Sequence, residues 1–207
     1  HGKILEKVSF SKYLGVTLQS NLEWDVHIQS IANKASSTLG VLKRNLKVAN
    51  KEIKERAYLS LVRPKLEYAC SVWDPHFKKD ITTLDKVQRR AARYVTNRFH
   101  NRSSVTDMLH GLGWESLRDR RLKFKMCMAY NAIHGQVALP ILEYIHFKEL
   151  RTRRARPFYV EIPYARVDCY KFSFIPNFGV YWNTLPVSVV TAPTLGQFKV
   201  GLKDIQF

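Results

Sequence analysis

Apolar residues recur three and four positions apart along Trp24, Ile28, Ile31, Ala35, Leu39, Leu42 and Leu46, which puts all seven on one stripe of a helix. Ser20 or Asn21 offers a cap for its start. A second helix is predicted from Lys51 to Arg63, with a break at Pro64, because the residue before a proline is driven out of helical conformation. Lys65 to Trp73 reads as helical again and stops at Asp74-Pro75, with Trp73 and Tyr68 as core side chains. A third helix, Asp80 to Thr96, gathers Leu84, Val87, Ala91 and Val95 on one side and Lys86, Arg89, Arg90 and Arg93 on the other.

The pattern then loosens. Residues 97–115 form a polar connector with a helical turn at Ser104–Leu109, closed by Gly111-Leu112-Gly113. A long helix follows from Glu115 to His134 and ends at Gly135. It carries two apolar stripes: Leu117, Phe124 and Met128 on one, and Leu122, Met126, Ala129 and Ile133 on the other. Between them Arg118, Arg121 and Lys125 read as a basic strip left open.

Both ends of the chain differ from this helical middle. Ile4–Val8 and Tyr13–Leu18 read as two strands of a hairpin, joined through a break flanked by Ser9 and Ser11, with Gly15 inside the second strand where backbones approach closely. Beyond Pro140 the chain is rich in Pro and aromatics, with short strands or irregular loops near Tyr159–Ile162 and Phe172–Phe174 and a last helix from Thr194. The fold class expected is mainly α, with an N-terminal β-hairpin, a helical bundle and an irregular C-terminal extension containing short strands. The domains expected are residues 1–20, 21–135 and 136–207.

Charge changes what the cationic helix means. The 207 residues hold 34 Lys and Arg against 17 Asp and Glu, a formal net charge of +17. Between Lys86 and Lys125 there are eleven Lys and Arg against only Asp107, Glu115 and Asp119, so the excess is local as well as global. A helical basic face of this kind attracts phosphate backbones by counterion release and positions a protein on them without reading sequence. Lys148 to Arg156 is a second basic run, of the sort that also serves as a linker or localisation signal.

Candidate chemistry is sparse. The eight aspartates are scattered and none lies in an apolar strand that would aim it into a cleft, so a two-metal site is not expected. Glu67, in an aromatic segment, reads as a buried partner to an arginine. The seven histidines show no paired ligand spacing, and neither a GxSxG nor a GxxxxGK[ST] motif occurs. Cys70, Cys127 and Cys169 are widely spaced and odd in number, without a zinc or disulfide pattern; Cys70 and Cys127 read as small buried hydrophobes in a reducing interior. No apolar run reaches the length of a membrane span, and no signal-peptide pattern opens the chain, so an intracellular location without membrane partners is expected. The start at His1 reads as that of a fragment.

Several segments resemble the C-terminal part of the reverse transcriptases of non-LTR, LINE/jockey-like retrotransposons. They are, in order, Lys12-Tyr13-Leu14-Gly15-Val16 with Leu22-Glu23-Trp24-Asp25; Arg63-Pro64-Lys65-Leu66-Glu67-Tyr68 running to Trp73-Asp74-Pro75; Val87-Gln88-Arg89-Arg90-Ala91-Ala92-Arg93-Tyr94; Leu112-Gly113-Trp114 with Leu117-Arg118-Asp119-Arg120-Arg121; and Phe172-Ser173-Phe174-Ile175-Pro176 with Trp182-Asn183-Thr184-Leu185-Pro186. The resemblance spans residues 10–202. It implies a hairpin remnant at the end of the palm, a helical thumb-like domain and an extension, without the fingers, most of the palm or the Tyr-x-Asp-Asp motif. The isolated chain would then not be an enzyme, and Mg²⁺ would belong only to the parent RNA-directed DNA polymerase. The residues expected to hold an RNA or RNA/DNA duplex by its phosphates are Lys86, Arg89, Arg90 and Arg93, with Arg118, Arg121 and Lys125 as a second strip. The competing reading is a non-catalytic helical interaction module, or a degenerate relic of such an element.

Overall fold

A computed structural model describes residues 7–100, 103–138, 143–148, 157–205 and 207. The Ile4–Glu6 part of the expected first strand and the Arg151–Arg156 run lie outside them. The fold is mainly helical, with a single two-stranded antiparallel sheet at the N-terminus among the described residues.

That sheet is displaced from its expected position. β1 is Phe10–Tyr13 and β2 is Val16–Gln19, with Tyr13 opposite Val16. The two residues between them, Leu14 and Gly15, have φ of 45° and 85°. Left-handed conformation at both loop positions makes the tight hairpin turn whose twist matches that of the strands. Gly15 is therefore a turn residue, and the Ser9–Ser11 stretch expected as a break is largely strand.

The chain forms two compact units, His1–Ala69 with Pro75–Leu117, and Cys70–Asp74 with Arg118–Phe207. The break after Leu117 differs from the expected boundary at residue 135. Its cause is the long helix, whose Leu122, Met126, Ala129 and Tyr130 belong to the core of the second unit.

In the first unit α1 (Asp25–Asn45) buries His27, Ile28, Ala32, Ala35, Leu39 and Leu42. The expected stripe is there from Ile28 to Leu42, although Ile31 is only half-buried; Trp24 and Leu46, also half-buried, flank the helix as its cap residues. The helix starts without a side-chain cap from Ser20 or Asn21. α2 (Lys51–Leu61) is capped by Asn50, whose Oδ1 accepts from Ile53 N–H at 2.9 Å. Pro64 does not simply break the chain. It sits in the first turn of α3 (Arg63–Glu67), where a missing N–H costs no helical bond. α4 (Cys70–Trp73) follows, after Ala69 at φ 53° has ended the previous turn.

α5 (Lys78–Thr96) is the best-partitioned element: Leu84, Val87, Gln88, Ala91, Ala92, Tyr94 and Val95 are all buried. It stops at Asn97, left-handed at φ 52°, with Arg98 N–H returning to Arg93 O. α6 (Val105–Gly111) is capped by Ser104. Trp114 then stacks on Tyr58, ring centroids 4.3 Å apart, and donates Nε1 to Glu55 at 2.8 Å.

In the second unit α7 (Leu117–Ile133) ends at Gly135, φ 65°, as expected. The short helices α8 (Asp168–Lys171), α9 (Phe174–Trp182), α10 (Val187–Val190) and α11 (Leu195–Gly201) follow, and aromatic and aliphatic side chains of the last three pack on it. The expected irregular or extended stretch at Phe172–Phe174 is instead the entry to a helix: Pro176 falls in the first turn of α9, where proline is well tolerated. Near Tyr159–Ile162 the only pairing among the described residues is one bridge, Val160 to Phe147. Gly179 faces that segment closely, since a Cβ there would meet Val160 Cγ1 at 3.1 Å.

Candidate nucleic-acid interface

The seven basic residues expected to contact phosphates fall into two environments. Lys86, Arg89 and Arg90 are on the outer side of α5, and Arg93 is beside them with its Nε buried. At 3.6 residues per turn the four span about 100° of the helix, opposite the buried half. None of them makes an ion pair among the described residues. Arg90 is nonetheless held in place: its Nη2 donates to Ser36 Oγ on α1 at 2.8 Å and its Nε donates to Lys86 O at 3.2 Å. Arg93 Nε has no hydrogen-bond partner among the described residues.

The face extends onto α1. Lys43, in the last turn of that helix, has its pKa lowered, first by desolvation and then by the Arg90 charge. Lys43 and Arg90 are thus near enough for their charges to repel each other. Sequence alone misses Lys43 and Ser36. The available signal is the spacing Ser36 to Lys43, seven residues and two turns, on the border of the buried stripe of α1.

The second strip is different. Arg118 is exposed, and a hydrogen bond with Tyr181 raises its pKa further. Arg121 and Lys125 are not open at all: their exposures are 0% and 1%. Both reach Asp74, whose two oxygens take Arg121 Nε at 2.9 Å and Lys125 Nζ at 2.9 Å. Lys125 Nζ also donates to Asn177 Oδ1. The expectation of an open basic strip is thus corrected. The fold covers the cations along with much of the apolar surface beside them, and one carboxylate serves as counter-charge.

Other sequence expectations fare unevenly. Trp73 is fully buried, but Tyr68 is 60% exposed and donates its hydroxyl to Leu14 O at 3.0 Å, so it supports the hairpin turn and is not core. Glu67 does pair with an arginine, Arg63 Nε at 3.8 Å. Cys70 is buried, and burial pushes the thiol of half-buried Cys127 up. Among the described residues no group of three or more His, Cys, Asp or Glu is placed to hold a metal ion, and no helix is long and apolar enough to cross a membrane.

Compared with known proteins, no protein-family model matches the chain and no solved structure matches it significantly. The chain is similar to the uncharacterized protein B0403.1 of Caenorhabditis elegans, 24% identical over 128 residues. That match spans 61% of this chain and 65% of the relative, just under two thirds of its length.

Proposed function

We propose that the first unit binds RNA or RNA/DNA duplex through its phosphate backbone, without sequence preference, as a non-catalytic, thumb-like part of a non-LTR retrotransposon reverse transcriptase. One observation carries the binding part of this reading. α5 gives its apolar half to the core and turns Lys86, Arg89 and Arg90 outward, with no carboxylate paired to them among the described residues. Long cationic side chains on a rigid helix suit a backbone whose charges repeat regularly, and the bond from Arg90 to Ser36 fixes one of them in advance. The retroelement part rests on the motif resemblance. Arg118 is the one member of the second strip that keeps an exposed charge.

The test is anisotropy titration of a blunt RNA/DNA duplex at several salt concentrations. Arg90→Glu with Arg93→Glu should weaken binding at least ~tenfold and reduce the salt slope by about one for each phosphate no longer neutralised. An affinity within about twofold of the parent chain would remove the basic face from the account. A second reading, an interaction module for another protein, is favoured by the hairpin, where Phe10, Tyr13 and Leu14 are 63%, 67% and 74% exposed. Salt-insensitive self-association with no duplex binding would support it.

A further inference from the structure

Beside the basic face of α5 the first unit holds a cleft of about 360 Å³. Asp85 and Arg89 line it from α5, Thr106, Leu109 and His110 from α6, and Trp114 from the segment that follows. Its walls are fixed. Gln88 donates Nε2 to Glu115 O at 2.9 Å, which ties α5 to that segment, and Trp114 is held by Tyr58 and Glu55. The lining mixes an apolar patch with a few convergent polar groups, and the volume lies within the range of small-ligand sites.

Arg89 joins this cleft to the basic face, because its side chain belongs to both. A strand lying along α5 with a phosphate on Arg89 therefore brings its next nucleotide to the mouth. We propose that the cleft takes one unpaired nucleotide extending from the end of the bound duplex. The base would lie against Leu109 and the edge of Trp114 that lines the cleft. His110 and Thr106 suit the hydroxyl and amino groups of a nucleotide. The proposal rests on the duplex reading above and adds to it a preference for tailed over blunt ends.

The test uses the full chain and two RNA/DNA duplexes, one blunt and one with a single unpaired 2-aminopurine. The tail should tighten binding roughly tenfold, the scale of one base on an apolar or aromatic surface, and the emission of 2-aminopurine should change on binding. Thr106→Met, at an exposed position, narrows the cleft; it should abolish the tail's gain and the emission change while blunt-duplex affinity stays within about twofold. His110→Ala is the second variant, expected to lose part of the gain. A tail that adds nothing in the parent chain, or a gain that survives Thr106→Met, overturns the cleft proposal and leaves the basic face standing. Failure to bind the blunt duplex at all overturns both.

Discussion

α5 and α7 look alike in sequence and differ in what surrounds their charges. Each has basic residues recurring between apolar ones, but only α5 sorts them onto opposite sides. On α5 the cations face outward, and Lys43 of α1 is made harder to ionise first by desolvation and then by the Arg90 charge. On α7 Arg121 and Lys125 are sealed in and share Asp74. A single carboxylate, 47 and 51 residues away in the chain, separates a solvent-facing charge from a structural one. Periodicity identifies the faces of a helix but does not say how many of them the fold will cover.

The strongest way to break this contrast is at Asp74. Asp74→Ala leaves two buried cations without a counter-charge, a loss of about 3–5 kcal/mol and the largest effect expected here. Urea unfolding checks it; a cost under about 1 kcal/mol would mean that the α7 cations reach water. Lys125→Met should cost less, about 1–3 kcal/mol, because Arg121 still neutralises Asp74 after the Nζ bonds to Asp74 and Asn177 are lost. In the same assays Arg90→Glu with Arg93→Glu should do the reverse, weakening duplex binding while moving stability less than Asp74→Ala does. Loss of binding in Lys125→Met at unchanged stability would return that lysine to the interface.

A third buried ionisable group sharpens the contrast from the other side. His27 is 2% exposed, and its Nδ1 accepts from Thr17 N–H at 3.2 Å, so the ring sits in the neutral form between α1 and β2. Burial, with a smaller contribution from Lys34, lowers its pKa below 6.5. The unfolded chain then binds the proton more readily than the folded one. Stability contributed by the neutral ring is fully present above the unfolded value of 6.5 and is lost as pH falls from there through the lowered folded pKa. Thermal melts at a series of pH values should show this decline, and His27→Gln should flatten it.

Much of the helical middle of the chain is legible in the sequence. The stripe of α1 and the partition of α5 follow from spacing, and the Gly135 stop of α7 follows from cap chemistry; both are local. The hairpin is harder to place because Leu14-Gly15 does not carry the Asn-Gly or Asp-Gly signature, and a leucine in left-handed conformation is not readable from its own preferences. Phe172–Phe174 reads as extended chain because aromatics favour strands. Its helix is set by packing, with Phe178 and Trp182 completing a core that also takes residues from α7 and α11. The site is half legible for the same reason: Lys86, Arg89, Arg90 and Arg93 lie on a face that local pattern reveals, whereas the fate of Arg121 and Lys125 depends on a distant aspartate.

The five residues Cys70–Asp74 belong to the second unit while the chain before and after them belongs to the first. No single peptide bond therefore separates the two units. A truncation that stops at Leu117 would keep all of α5 but strand Trp73 and Asp74 without their neighbours. One that begins at Arg118 would lack the carboxylate for Arg121 and Lys125. On the ribosome, Asp74 emerges well before the cations it will neutralise. Expression of either half as an independent piece calls for grafting this five-residue insert onto the later segment, by circular permutation or a linker, and not for a cut.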